Sequence, residues 1–271
     1  MRALVVVPTY NESATLERVV ARSLQAAASD RMPAAGSLEM LIVDDASPDG
    51  TGDLAARLSA AHTGVHVLHR PGKQGLGSAY RTGFGWGMER GFDVLCEMDA
   101  DLSHDPADLP RLLRTLAGAD LVIGSRYVPT GGVVDWPLHR RALSKGGNRY
   151  VQLATGMPVA DATAGFRAYR RTVLEALDLT TIGSEGYAFQ IEMALRSWRL
   201  GFRVMEVPIT FVERSEGASK ISRAIVAEAL WRVLVWGLTG PRRPADVHPD
   251  SIAAETEVGP VVLPPADAGP G

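Results

Sequence analysis

The sequence predicts an α/β fold with a mostly parallel central sheet, and three observations lead to that prediction. In the first half of the chain, short apolar runs alternate with helical patterns, as in strand–helix–strand units. The apolar runs are continuous, which is typical of strands buried on both faces of a parallel sheet. Four of the runs end in polar residues, and α/β proteins bind ligands at the carboxyl ends of their strands.

Composition narrows the class of protein. A chain of 271 residues suits one large domain, or one domain with an appendage. The net charge of −3 gives no basic excess of the kind that binds nucleic acid. The single cysteine, Cys96, lies in an apolar run, so we expect a buried thiol and no sign of an oxidising compartment. The N-terminal apolar run is too short for a secretory signal, so we expect a cytoplasmic protein.

The first three predicted strands alternate with turns and helices. Residues 3–7 are rich in β-branched side chains, break at the polar turn 8–12, and lead into a helix that begins near Ser13. Residues 40–43 and 65–68 form the second and third strands. No G-x-G-x-x-G motif follows the first strand, so a dinucleotide fold of the dehydrogenase kind is disfavoured.

A glycine-rich loop at residues 72–77 follows the third strand and precedes a helix over residues 78–89. It lacks the Lys-Ser/Thr pair of a P-loop. Two interpretations stay open: a mobile connector, or a loop whose lysine, Lys73, closes on a phosphate.

The fourth predicted strand, residues 92–101, ends in an acid pair. Because side chains alternate along a strand, Asp99 and Asp101 are expected on the same side. Two such carboxylates repel unless a cation lies between them, and the usual cation is divalent and shared with phosphates. Taken alone, an Asp-x-Asp motif is more often a solvated loop.

Polar groups at several strand ends favour a site. The fifth predicted strand, residues 121–125, leads directly into Arg126. The carboxyl ends of parallel strands meet at one edge of a sheet, so these groups are expected to gather there. The polar strand ends are Asn11 and Glu12, Asp44 and Asp45, Asp99 and Asp101, and Arg126.

The second half of the chain is less regular. A glycine-containing loop at residues 131–135 precedes a basic segment, for which the polar face of a helix is the simpler interpretation. A strand is predicted at residues 166–169, and one continuous strand at residues 204–212, where Pro208 favours an edge position. The polar residues of this half that are candidates for a cleft or phosphate site are Arg140, Arg141, Lys145, Arg149, Gln190, Glu192, Arg214 and Lys220.

The C-terminal part divides into a helix and a tail. Residues 221–238 form a helix that is too short and too charged to span a membrane comfortably. A core helix and an amphipathic helix lying on a bilayer remain equally supported. The tail is rich in Pro, Ala, Asp and Glu and is expected to be disordered. The predicted organisation is a catalytic domain at 1–220, an amphipathic helix at 221–240 for which membrane association is one of the two interpretations, and a disordered Pro/Ala/acidic tail at 241–271.

Five motifs occur in an order and spacing that resemble a known family. They lie at residues 8–12 (PTYNE), 43–51 (VDDASPDGT), 98–104 (MDADLSH), 124–127 (GSRY) and 165–167 (GFR). Together they resemble the inverting family 2 glycosyltransferases, and among these the polyprenol phosphate mannose synthases, over residues 3–235. The resemblance implies a GT-A fold with a mixed, mostly parallel central sheet. It also implies transfer of mannose from GDP-mannose to a polyprenyl phosphate with inversion.

The resemblance assigns roles to particular residues. Those expected to hold the donor nucleotide are Pro8, Tyr10, Glu12, Val43, Asp45, Asp99, Ala100 and Asp101. A divalent cation, Mg²⁺ or Mn²⁺, is expected on Asp99 and Asp101, and Ser103 stands where some relatives carry a glutamine that completes the metal shell. The residues expected to carry the reaction are Asp99, Asp101, Arg126, Arg214 and Lys220. The acceptor phosphate is expected at Arg126, Arg214 and Lys220, with Arg140 and Gln190 as further candidates.

Two alternative functions remain at this point. A polyprenyl-phosphate glucosyltransferase that uses UDP-glucose shares most of these motifs, and residue types do not specify the base or the sugar epimer. A non-catalytic sugar-nucleotide-binding subunit is the second. The lipid acceptor implies a location at the inner face of the membrane, reached through the surface helix or a membrane-protein partner.

Overall fold

The computed structural model describes residues 1–213 and 223–239, and every structural statement below concerns these residues. The strands are β1 Arg2–Thr9, β2 Ser37–Asp44, β3 Val65–His69, β4 Val94–Glu97, β5 Leu121–Ser125, β6 Gly132–Val134, β7 Arg167–Arg170, β8 Val204–Pro208 and β9 Thr210–Val212. The helices are α1 Leu16–Ala27, α2 Thr51–Ala61, α3 Leu76–Glu89, α4 Leu109–Thr115, α5 Leu138–Thr155, α6 Arg171–Leu177, α7 Gly186–Arg199 and α8 Arg223–Thr239.

The main sheet is mixed and mostly parallel, as predicted. In the described part of the chain it has seven strands in the order β3-β2-β1-β4-β7-β5-β8. Only β7 among them runs antiparallel, between β4 and β5. A second, two-stranded parallel sheet pairs β6 with β9. The parallel strands therefore direct their carboxyl ends to one edge, where α/β proteins place their ligands.

Two apolar layers cover the two faces of this sheet. Strand β1 shows the pattern, since Leu4 and Val6 belong to one core cluster while Val5 and Val7 belong to the other. All four side chains are fully buried. Burial on both faces explains why the strand is a continuous apolar run. Cys96, on β4, is also fully buried, as expected, and burial raises the pKa of its thiol.

Strand β4 is shorter than predicted. It ends at Glu97, so the acid pair lies in the following loop and the expectation that Asp99 and Asp101 extend the strand was wrong. The chain turns here because the Asp101 carboxylate accepts hydrogen bonds from the backbone and hydroxyl of Ser103, and Leu102 adopts a left-handed conformation with φ of 62°. The acid pair therefore lies at the edge of the sheet because of this turn, and not because side chains alternate along a strand.

The predicted strand at residues 204–212 is two strands in two sheets. Strand β8 ends at Pro208, which pairs with Ser125 at the edge of the main sheet, and the edge position of Pro208 is therefore confirmed. Ile209 forms the junction: its N–H donates to Ser125, and its carbonyl accepts from Gly132. The segment 131–135, expected to be a loop, thereby contains strand β6.

Helix α8 is partly a core helix and partly exposed. Val233 and Ala229 are buried, and the Tyr150 hydroxyl of α5 donates to the Leu230 carbonyl at 3.0 Å. Trp231 and Leu238, in contrast, are 66% and 78% exposed. None of the helices in the described ranges is long and apolar enough to cross a membrane. The predicted tail at 241–271 and the boundary at 220 lie outside the described residues.

Candidate active site

A cavity of about 500 Å³ opens at the carboxyl ends of the parallel strands. Five polar side chains from four strand ends line it, namely Glu12, Asp45, Asp99, Asp101 and Arg126, whereas Asn11 and Asp44, which were also expected there, do not. Helix α7, strand β9 and the residues Trp136 and Glu213 that flank the small sheet contribute to the walls. The predicted site residues that line the cavity are Pro8, Tyr10, Glu12, Asp45, Asp99, Ala100, Asp101, Arg126, Arg140 and Gln190.

Of the other four predicted site residues, two lie among the described residues and do not line the cavity. The side chain of Val43 is fully buried and packs in the core. Ser103 is 1% exposed. Arg214 and Lys220 lie outside the described residues.

The turns after β1 and β2 are joined by hydrogen bonds. The backbone N–H of Asn11, which has a positive φ of 61°, donates to the Ser47 hydroxyl, and that of Ser13 donates to Asp49. Asp49 also accepts from Thr51 at the start of α2. Although partial burial opposes it, these hydrogen bonds lower the pKa of Asp49 to about 2. The two turns therefore form one rigid wall of the cavity.

Asp45 is held by a partner from the third strand end. Its carboxylate lies 3.2 Å from Arg70, and both side chains are buried. Burial raises the pKa of Asp45, and the charge of Arg70 opposes that rise. Arg70 also donates to Gln74 and Ser78, so it ties Asp45 to the glycine-rich loop and to α3.

The glycine-rich loop lines the cavity through Lys73, whose ammonium lies 4.3 Å from the centre of the Tyr10 ring. The loop is fixed from the opposite side by Glu185, which sequence reasoning did not select individually. The Glu185 carboxylate accepts from the N–H groups of Gly77 and Ser78, the first turn of α3. Gly75 has a φ of +96°, and a Cβ there would lie 2.4 Å from the Glu185 carboxylate.

The acid pair is held by its own loop. The Ser103 hydroxyl donates to Asp101 at 2.5 Å, so Ser103 orients this carboxylate. His104 lies 3.9 Å from the Asp99 carboxylate and accepts the Asp99 N–H at Nδ1. The expectation that Ser103 completes a metal shell stays a prediction.

The chemistry of the acid pair suits a divalent cation. Two carboxylates of one cavity are hard oxygen ligands of the kind that Mg²⁺ and Mn²⁺ prefer. No group of three or more His, Cys, Asp or Glu side chains in the described ranges could hold a metal by itself. The donor set therefore fits a cation whose remaining ligands come from a diphosphate and water.

A buried charged layer lies under the acid pair. Glu97 is fully buried at the end of β4, and burial raises its pKa to about 7 against the opposing effects of Arg167, Gln190 and Tyr169. Arg167, also fully buried, donates to the carbonyls of Ala162, Ala164 and Gln190. The arginine of the GFR motif therefore fixes the loop before β7. Glu97 belongs to none of the motifs and was not predicted as a site residue. A glutamate inside an apolar run does, however, indicate a buried carboxyl group.

Arg126 is paired inside the protein. Its Nε and Nη2 donate to the two carboxylate oxygens of Asp161 at 2.7 and 2.6 Å, and Nη2 also donates to Thr163. Burial lowers the pKa of Arg126, but the Asp161 charge outweighs it and raises the value. Glu206 holds Asp161 in turn by accepting the backbone N–H groups of Ala160 and Asp161.

Aromatic rings and a second arginine form the wall near the small sheet. The guanidinium of Arg126 lies 5.4 Å from the Trp136 ring and 5.5 Å from the Phe211 ring. Arg140, on α5, lies 4.2 Å from the Trp136 ring and forms an ion pair with Glu213. This wall combines apolar surface with two arginines, each of which is paired with a carboxylate of the protein.

Comparison with known proteins identifies the family of this chain. The model of the family described as Glycosyl transferase family 2 matches residues 4–178, and the chain belongs to that family. It is 52% identical to an undecaprenyl-phosphate mannosyltransferase of Micrococcus luteus, over 88% of this chain and 95% of the relative. It is 51% identical to a polyprenol monophosphomannose synthase of Mycolicibacterium smegmatis, over 88% of each chain.

Solved structures confirm the GT-A fold. A mannosyltransferase from Pyrobaculum calidifontis, in complex with GDP-Man and Mn²⁺, aligns with a TM-score of 0.60 at 21% identity, over 90% of this chain and 66% of that one. A mannosyl-3-phosphoglycerate synthase from Rubrobacter xylanophilus aligns with a TM-score of 0.59 at 17% identity, over 92% and 79%. The family and the fold together make this chain a glycosyltransferase.

Proposed function

We propose that the protein transfers mannose from GDP-mannose to a polyprenyl phosphate, with inversion, to give polyprenyl-phosphate β-mannose. The observation that carries the proposal is the single cavity that holds the β1 and β2 turns, the acid pair and two arginines. The names of the two relatives at 52% and 51% identity support mannose as the sugar and a polyprenyl phosphate as the acceptor.

On the donor side, the rigid wall formed by the β1 and β2 turns would hold the nucleoside, with Tyr10, Glu12 and Asp45 facing it. Asp99 and Asp101 would hold Mg²⁺ or Mn²⁺, which neutralises the charge that develops on the leaving diphosphate. Lys73 lies at the same wall, above Tyr10, and adds a positive charge. The interpretation of the glycine-rich loop as one that meets a phosphate is therefore favoured.

On the acceptor side, a phosphate monoester is already ionised near neutral pH, with a charge of about −1.5 to −2. Its attack needs little proton removal, so cations that bring two anions together matter more than a strong base. Arg126 and Arg140 line the cavity, and we assign the acceptor phosphate to this wall together with Arg214 and Lys220. Attack from the face opposite the diphosphate inverts the anomeric centre.

We further propose that residues 1–220 form the catalytic domain and that α8 reaches the membrane surface where the lipid acceptor lies. Its exposed side includes Leu230, Trp231, Leu234 and Leu238, and such a face can enter the interfacial region of a bilayer. Flotation with liposomes tests this: co-migration is expected, and protein that stays at the bottom of the gradient with and without lipid acceptor would exclude it.

Product analysis tests the reaction. The protein is incubated with labelled GDP-mannose, a short polyprenyl phosphate and Mg²⁺ or Mn²⁺, and the lipid product is identified by mass spectrometry and anomeric NMR. We expect a β-linked mannosyl phospholipid and no product after chelation. A parallel reaction with UDP-glucose is the control. Transfer from UDP-glucose alone would replace the proposal with a glucosyltransferase.

A further inference from the structure

Two arginines of the cavity wall are paired with carboxylates of the protein itself, but the two pairs differ in kind. The Arg126–Asp161 pair is bidentate, and its side chains are 7% and 0% exposed. The Arg140–Glu213 pair is formed by one guanidinium nitrogen and one carboxylate oxygen, and its side chains are 31% and 28% exposed. Both arginines line the cavity, and so does Glu213.

The difference in burial decides which pair can exchange partners. Breaking a buried, hydrogen-bonded pair leaves an uncompensated charge and is strongly unfavourable. A pair whose side chains are both about 30% exposed, such as Arg140–Glu213, contributes less to stability because water can reach and replace either partner. A phosphate monoester carries more negative charge than a carboxylate and offers more acceptor oxygens to a guanidinium. Arg140 can therefore release Glu213 to a phosphate, whereas Arg126 retains Asp161.

Glu213 is held near Arg140 by the small sheet. Its backbone N–H donates to the Val134 carbonyl at 3.3 Å, which continues the β6–β9 pairing by one residue. The guanidinium of Arg140 lies 4.2 Å from the centre of the Trp136 ring, a contact that does not depend on the Glu213 carboxylate. The Glu213 carboxylate thus occupies a preformed anion position in the cavity wall.

A row of aromatic contacts separates this position from the acid pair. His104 lies beside Asp99, its ring contacts Phe211 at 5.4 Å, and Phe211 contacts Trp136 at 5.4 Å. The guanidinium of Arg140 lies 4.2 Å from the centre of the Trp136 ring. If the donor diphosphate lies at the acid pair, the anion at Arg140 is the acceptor.

We infer that Glu213 is a specificity-determining residue whose carboxylate occupies Arg140 until the acceptor phosphate displaces it. The inference rests on the proposed function, because it takes the acceptor to be a polyprenyl phosphate. Glu213 acts as an internal competitor: it weakens acceptor binding and excludes weaker anions from the guanidinium.

Replacing Glu213 by Gln tests the competition, since the amide keeps the size of the side chain and removes its charge. At saturating GDP-mannose, Glu213→Gln is expected to lower the KM for a short polyprenyl phosphate about two- to five-fold, the range for an ion pair that water can reach. The KM for GDP-mannose is expected to stay constant. Inorganic phosphate should bind the variant more tightly by a similar factor in calorimetry, which requires no turnover.

Two further variants serve as controls. Glu175→Gln breaks a comparable exposed pair with Arg171 on α6, away from the cavity, and should change neither KM. In an Arg140→Ala background, Glu213→Gln should have no effect, because the guanidinium that Glu213 competes for is gone. If Glu213→Gln folds poorly, Glu213→Thr tests the same loss of charge at the end of a strand.

An acceptor KM that rises or stays constant in the folded Glu213→Gln protein would overturn the inference, and so would a change confined to the KM for GDP-mannose. Failure of the proposed function looks different. In that case the wild-type protein forms no mannosyl lipid, while phosphate calorimetry still reports whether Glu213 competes at Arg140.

Discussion

The buried Asp161 limits how many hydrogen bonds Arg126 can donate to a substrate. Its carboxylate accepts the backbone N–H, Nε and Nη2 of Arg126, so two of the three guanidinium nitrogens of Arg126 are used inside the protein. Arg126 therefore meets the cavity as an oriented group with a neutralised charge. Arg140, with its weaker pairing, is the more exchangeable of the two.

Replacing Asp161 by Asn should destabilise the protein by about 3 kcal/mol, because it leaves Arg126 buried without a counter-charge. The free energy of unfolding from urea titration measures this. Glu175→Gln, which removes an exposed partner of Arg171, should change it by less than about 1 kcal/mol. Equal effects of the two substitutions would show that burial does not set the strength of the Arg126 pair.

Site residues could be predicted from the sequence where neighbouring residues in the chain already indicate the chemistry. Asp99 and Asp101 were found because two carboxylates close together in sequence suggest a cation, and both line the cavity. Glu185 and Asp161 were not selected because their partners are distant in sequence: Glu185 meets Gly77 across 108 residues, and Asp161 meets Arg126 across 35. Only the folded chain shows such pairs.

At the scale of elements, helix α3 packs against β1 through a glycine. A Cβ at Gly83 would lie 2.4 Å from Cγ1 of Val6, a buried residue of β1. At Gly85, on the same helix, a Cβ would meet no atom of the described residues within 4 Å beyond its own helix and chain neighbours. The two glycines therefore differ in packing, although both reduce helix propensity.

Alanine substitutions separate these two effects. Gly83→Ala should destabilise the protein by about 1–3 kcal/mol through overpacking against Val6. Gly85→Ala should stabilise it by about 0.5–1 kcal/mol, because alanine loses less conformational entropy in a helix. Denaturation midpoints of both variants measure the difference. A neutral Gly83→Ala would mean that α3 does not approach β1 as closely as described.

The predicted elements were most accurate where the pattern was long. The continuous apolar runs located the parallel strands, since burial on both faces selects β-branched residues over several positions. Strands β6 and β9 have three residues each, and a pattern of alternating side chains cannot be recognised over so short a segment. The two strands were therefore not predicted as separate elements. The end of β4 was predicted too late, because the alternation of side chains does not show that a turn held by Asp101 and Ser103 begins after Glu97.

At the scale of the whole molecule, the parallel sheet determines where chemistry occurs. It brings the β1 and β2 turns, the acid pair and Arg126 to one cavity, although these groups are far apart in the chain. The fold was predictable because continuous apolar runs alternate with helical patterns, and the place of the cavity because four predicted strands end in polar residues. Which carboxylate pairs with which cavity residue was not predictable, since those pairs depend on the position of the β6–β9 sheet and of α7.

The central claim is that the acid pair of this cavity carries the transfer of mannose to a polyprenyl phosphate. The most direct measurement is the rate of mannosyl lipid formation by wild type, Asp101→Asn and Asp93→Asn with GDP-mannose and Mn²⁺. Asp93 lies before β4, at the opposite end of the same strand, and is 59% exposed. We expect Asp101→Asn to lose about 100-fold or more in rate, as when a group that stabilises developing charge is removed, and Asp93→Asn to retain the wild-type rate. An Asp101→Asn protein that folds and turns over at the wild-type rate would contradict the claim.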